Sequence, residues 1–183
     1  MNPVNKGGAR RRIAPLLLIF TAILVVAAIL LLPLSAPRLV ISNERTGKDL
    51  MALPLEVGET FQLRYTHSVN LSDVTDTMEW TGDTMVCRST LFTAFGAGIP
   101  VLADGVGTDF THTEDGFLIT GIDKPEARIL VMLQTVPNHR LLWRGQQFFL
   151  MERYGSGTLL RLEVRPVSLL TRIRVSNGQT PDS

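Results

Sequence analysis

The fold that the sequence predicts is an all-β domain, a small antiparallel β-sandwich or barrel-like unit, preceded by one transmembrane helix. Three observations predict it: an uncharged apolar stretch near the N-terminus, a switch to alternating apolar and polar residues after it, and turn residues at short intervals from there on. A chain of 183 residues leaves room for one folded domain beyond the apolar stretch.

The helix comes first. From Ile13 to Leu34 no charged residue occurs over 22 positions. At about 1.5 Å per residue this is roughly 33 Å, enough for a hydrocarbon core of about 30 Å. Pro15 falls in the first turn and Pro33 at the far end, so neither interrupts the middle. The competing reading is a cleaved signal peptide, whose apolar region runs about 7 to 15 residues before a small-residue cleavage site. This stretch is longer, and its nearest such site, Leu34-Ser35-Ala36, carries a bulky Leu and is followed by Pro37. A retained anchor in membrane lipid is the expectation. Lys6, Arg10, Arg11 and Arg12 precede it, so the positive-inside rule keeps the N-terminus in the cytoplasm and puts the rest outside. The expected organisation is a basic cytoplasmic segment over 1–12, an anchor over 13–34, a β domain over 38–175 and a flexible polar tail over 176–183. This describes a single-pass protein of the cytoplasmic membrane with a periplasmic or extracellular domain.

The formal charge of +1 conceals an asymmetry, because every acidic residue follows the anchor. Setting aside the four N-terminal cations leaves 14 basic residues against 17 acidic ones. Such a domain lacks the basic face that nucleic-acid phosphates require, and nucleic acid is excluded as a partner.

Strands follow from period-two alternation. Phe61, Leu63 and Tyr65 alternate with Gln62, Arg64 and Thr66. Leu160, Leu162 and Val164 alternate with Arg161, Glu163 and Arg165, and Ile173 and Val175 with Arg172 and Arg174. The continuous run Ile129 to Leu133 predicts a strand covered on both faces. Turn residues at Thr46-Gly47, Val57-Gly58, Thr81-Gly82-Asp83, Asp115-Gly116, Pro137-Asn138, Arg144-Gly145 and Gly155-Ser156-Gly157 divide these runs. Two hairpins are expected, one turning between Trp80 and Met85, the other joining Phe148 to Tyr154 with Thr158 to Val164. No amphipathic helix is expected after residue 35.

Cys87 is the only cysteine, so neither an intrachain disulfide nor a thiolate metal cluster can form. In Thr84-Met85-Val86-Cys87-Arg88 it reads as a small apolar strand residue. The three histidines, His67, His112 and His139, include no close pair of the kind that gathers Zn²⁺, and neither metal nor cofactor is expected. No serine stands in a Gly-x-Ser-x-Gly elbow.

Two segments stand out. In Tyr65-Thr66-His67-Ser68-Val69 a histidine ends a strand, and a hairpin around Asn70 to Ser72 would bring Asp76 or Glu79 toward it to orient the imidazole. A plainer reading is a partly buried His capping a turn. In Phe95-Gly96-Ala97-Gly98-Ile99-Pro100 two glycines around Ala97 suit a loop that turns consecutive N–H groups toward a carboxylate, though a bulge or tight corner is the simpler reading.

These two segments, in this order and separation, resemble the hallmark of a bacterial family catalogued as domain of unknown function 1850. The likeness extends over about residues 38 to 165. The family carries an acidic residue, usually Glu, some way after His-Ser-Val, and Asp76 stands at that place as a shorter carboxylate. The resemblance implies an exported protein associated with a tripartite, periplasmic-binding-protein-dependent (TRAP) transporter of the TAXI type. Its expected partners are the permease or the soluble substrate-binding protein.

The preferred expectation is thus an accessory or interaction module of a solute-uptake system. His67, Ser68, Asp76, Phe95, Gly96, Ala97, Gly98 and Pro100 would line one site for a transporter component or a small carboxylated ligand. The alternative is a periplasmic hydrolase with His67 as general base and Asp76 as its orienting acid. The absence of a nucleophile motif favours the binding module.

Overall fold

The computed structural model describes residues 8–32, 36–69, 71–94 and 107–176, with side chains from residue 15 onward except those of 170 and 174–176. Its strands are β1 (Arg38–Asn43), β2 (Asp49–Pro54), β3 (Thr60–Thr66), β4 (Asp73–Trp80), β5 (Met85–Phe92), β6 (Asp109–Thr113), β7 (Gly116–Glu126), β8 (Ile129–Met132), β9 (Arg140–Trp143), β10 (Gln146–Phe149) and β11 (Leu159–Arg165). Helices are α1 (Gly8–Leu31), α2 (Leu150–Tyr154) and α3 (Leu169–Ser176). The strands form two antiparallel sheets, ordered β2-β1-β11-β8 and β10-β9-β3-β4-β5-β7-β6. The described residues contain no closed barrel, so of the two expected architectures the layered one is present.

Alternation explains how the layers meet. Leu39, Ile41, Met51, Leu160 and Leu162 of the four-stranded sheet join Phe61, Leu63, Met78, Leu141 and Phe148 of the other in one buried cluster. Leu162 is fully buried and pairs with Ile41 on one side and Ile129 on the other. Truncating such a side chain to Ala costs about 2–5 kcal/mol. Val74, Phe92 and Ile119, with Tyr65, Phe110, Phe117 and Ile122 against them, make a second, smaller cluster. The outward phase of β11 carries ions: Arg161 pairs with Glu44 at 3.1 Å, and Arg165 with Glu163 at 2.8 Å and Asp49 at 2.5 Å.

The expected hairpin between Trp80 and Met85 is present, with those two residues paired and Thr81 Oγ1 accepting the Thr84 N–H at 3.2 Å. At Arg144-Gly145 both residues have positive φ, 48° and 74°, which matches the twist of a two-residue hairpin turn between β9 and β10. Arg144 is held there by Glu59 at 2.5 Å and by the Trp143 ring at 4.8 Å.

Four expectations are corrected. The segment around Ile173 and Val175 is not a strand but α3. Pro166 cannot donate to a ladder, and Ser168 Oγ accepts the Thr171 N–H at 3.1 Å, opening a helix. Phe148 to Val164 is not one hairpin, because α2 intervenes and carries the chain from β10 in one sheet to β11 in the other. Gly155-Ser156-Gly157 is therefore a helix-to-strand link, Gly155 closing α2 through its N–H to Met151 O at 2.8 Å. Ile129 to Leu133 is not covered on both faces, since β8 is an edge strand with Leu130 and Met132 exposed.

The apolar N-terminal stretch is helical among the described residues, as α1 (Gly8–Leu31), and residues 33 and 34 of the expected 13–34 anchor lie outside the described residues. Among the described residues no helix is long and apolar enough to cross a membrane, so the fold does not show the expected transmembrane anchor. α1 makes contact with α3, and α3 with β2.

Candidate functional site

Period two puts Val74, Asp76, Met78 and Trp80 of β4 on one face, and three of these four belong to the buried clusters. Asp76 is the exception, a carboxylate in the apolar phase. Pairing sets it in a rung with Leu63 of β3 on one side, and Thr90 of β5 followed by Ile119 of β7 on the other. The rung is apolar at both ends and polar in the middle, and it lies where the large cluster gives way to the small one. The Thr90 hydroxyl donates to Asp76 Oδ1 at 2.7 Å. Asp76 Oδ2 takes no hydrogen bond from a described residue.

The cavity beside it measures about 360 Å³. Its walls are Leu63, Met78, Ile122, Ile129 and Leu130, its polar groups are Asp76, Cys87 and Thr90, and Lys124, Glu126 and Arg128 stand at its rim. A bulge shapes this wall. Cys87 pairs with Lys124 and Ser89 with Thr120, so Gly121, Ile122 and Asp123 stand opposite the single residue Arg88. Gly121 has φ +66°, and a Cβ there would lie 2.1 Å from Thr108 Oγ1, so only glycine fits the bend. Arg88 is bound by Glu79 of β4 at 2.9 Å and by Asp123 of the bulge itself. Bulges of this kind redirect side chains near sites.

The groups around the cavity affect one another. Burial holds the Asp76 carboxyl above its usual range, partly offset by the Thr90 hydrogen bond and the Lys124 charge. Burial first, then the Asp76 charge, pushes the Cys87 thiol up, which disfavours a reactive thiolate. The same two causes, with Cys87 third, push Tyr65 up to about 12. Lys124 is paired with Glu126 at 2.7 Å.

The structure sets His67 apart from Asp76, two of the residues expected in one site. His67 lies past the end of β3 in a turn, its N–H donating to Ser72 O at 2.8 Å and its Nδ1 accepting the Val69 N–H at 3.3 Å. Ser68 beside it is exposed. Thr66 pairs with Asp73 and Leu63 with Asp76, so Asp76 sits four residues along the ladder from His67, about 13 Å at strand rise. Glu79 is engaged by Arg88. The plainer reading of His67, a turn cap, describes what it does here. Phe95, Gly96, Ala97, Gly98 and Pro100 lie outside the described residues. Among the described residues no group of three His, Cys, Asp or Glu is placed to hold a metal.

Cys87, Thr90 and Lys124 went unread as site residues in the sequence. The available sign was Asp76 itself, a charge in the inward phase of an alternating strand.

These features define an antiparallel two-sheet β domain with a polar site set between its apolar layers. Residues 61–150 match the model of a family described as a domain of unknown function, DUF1850, and the match supports that family for this region. The match is narrower than the likeness read from the motifs, running from β3 to the first residue of α2 and including every residue lining the cavity. No curated protein and no solved structure matches the chain.

Proposed function

We propose that the chain is an accessory binding module of a solute-uptake system, held at the outer face of the cytoplasmic membrane by α1, with the Asp76 cavity as its binding site. One observation carries the binding role: a carboxylate with one hydrogen bond from the described residues, on the core-facing side of a sheet and open to a cavity of about 360 Å³. A half-buried carboxylate in the apolar phase of a strand, beside open space and among apolar walls, supports a role in binding rather than in packing.

The membrane role draws on α1. Its 24 residues extend about 36 Å at helical rise, and large apolar side chains from Leu16 to Leu31 are exposed. Exposed apolar side chains along this part of α1 favour an apolar surrounding. The uptake role, with a TAXI-type TRAP permease or its substrate-binding protein as partner, draws on the family resemblance. A domain tethered beside a permease meets it at high effective concentration, which makes a weak interface useful.

The hydrolase reading required Asp76 to orient His67, and the strand register separates them. The binding module is therefore the better reading. Affinity capture of the full chain from mild detergent tests it. Recovery of a permease or soluble binding protein, reduced by Asp76→Asn, is the expected result. Capture of neither, from membranes that contain both, would defeat the proposal.

A further inference from the structure

The chemistry of the cavity selects among ligands, on the reading that the cavity is the binding site. Asp76 has one oxygen held by Thr90 and the other without a donor among the described residues. A ligand carboxylate there would set two anions together. A purely apolar ligand would remove water from the open oxygen and return no hydrogen bond, which costs more than leaving the site wet. A cationic donor satisfies both the charge and the vacant acceptor.

The walls say what the cation is attached to. Leu63, Met78, Ile122 and Ile129 are hydrocarbon or thioether surfaces, suited to an alkyl stem. The rim cations do not cancel this preference. Lys124 is tied to Glu126 at 2.7 Å, and both Lys124 and Arg128 are exposed, where water and salt screen them. We propose that the occupant of this cavity presents a protonated alkylamine, with its ammonium against Asp76 and its stem along Leu63, Met78 and Ile122.

Two sources supply that chemistry, a small free amine or a lysine side chain of a partner. The full chain in lipid nanodiscs, titrated by NMR with n-butylamine, butanoate and 1-butanol, tests the chemistry. Butylamine should bind about tenfold more tightly than butanoate, and Asp76→Asn should weaken it about tenfold, the worth of one charge-assisted hydrogen bond. Ile122→Ala is a second variant, at a partly buried wall position that the proposed stem would touch. Its shorter side chain should weaken butylamine several-fold.

Nα-acetyllysine methylamide separates the sources. Tighter binding than butylamine assigns a partner's lysine, and equal or weaker binding assigns a free amine. Butanoate binding as tightly as butylamine, or amine binding indifferent to both variants, overturns the proposal. The capture experiment above does not depend on which ligand binds, so the two readings fail separately.

Discussion

The Thr90 hydroxyl donates to Asp76 Oδ1 at 2.7 Å across the β4 and β5 ladder, and it is the only hydrogen bond that Asp76 receives from a described residue. Its carboxylate is half-buried beside the cavity. Burial holds its pKa above the ordinary value of 3.8, so the folded protein binds this proton more readily than the unfolded chain. The contribution to stability is fully present below the unfolded value and is lost as pH rises through the raised folded value. Asp76→Asn keeps the shape and can still accept from Thr90. It should raise Tm at pH 8 by about 2–4 °C, as a gain of about 1 kcal/mol does in a chain of this size, and change it little at pH 4. Thermal melts followed by circular dichroism at the two values decide it. A lower Tm at pH 8 would mean that the charge is compensated in the fold.

His139 has the opposite sign. Its ring lies 5.4 Å from that of Tyr65, its Nδ1 is buried with no hydrogen-bond partner among the described residues, and burial pushes its pKa down to about 4. A depressed histidine contributes stability that is present above the unfolded value near 6.5 and is lost as pH falls through about 4. His139→Phe retains a ring against Tyr65 and removes the titration. Between pH 7 and pH 4 the wild-type Tm should fall more steeply than that of the variant. Parallel profiles would show that His139 takes up its proton without cost.

The two sites also show how far a sequence carries. Phe61, Leu63 and Tyr65 have one face buried more deeply than the other because alternation encodes a pleat directly. The turn at Trp80 to Met85 needs only neighbouring residues, so it too was legible. Ile173 and Val175 were not, because a four-residue alternation is weaker than a strand stop at Pro166 followed by a cap at Ser168. The distance between His67 and Asp76 depended on register. Pairing of Thr66 with Asp73 fixes Asp76 opposite Leu63, and no residue type announces that choice. Lys124 reaches the cavity only through the bulge opposite Arg88, a relationship between segments more than thirty residues apart.

His67 then has a testable structural role. Its Nδ1 accepts the Val69 N–H at 3.3 Å in a partly exposed turn, an interaction worth about 1 kcal/mol or less. His67→Ala should lower Tm by a few degrees and leave butylamine binding unchanged. Because Asp76 is four ladder positions away, a lost binding signal with an unchanged melt would return His67 to the site.

The orientation of the chain supplies the last prediction. Lys6, Arg10, Arg11 and Arg12 lie before or within the first five residues of α1, and the first acidic residue, Glu44, lies beyond its other end. Moving four cations through a bilayer is opposed by both desolvation and the membrane potential, while the β domain follows the opposite end of the helix. Alkaline phosphatase, which folds only outside the cytoplasm, should therefore be active when fused after Ser183. The fusion should stay with the membrane fraction through alkaline carbonate washing. Replacing Lys6, Arg10, Arg11 and Arg12 with neutral residues should lower the active fraction by weakening the preference for one orientation. Full activity in a carbonate-soluble form would identify α1 as a removed leader, whereas an inactive fusion would place the β domain on the cytoplasmic side and leave the proposed partners out of its reach.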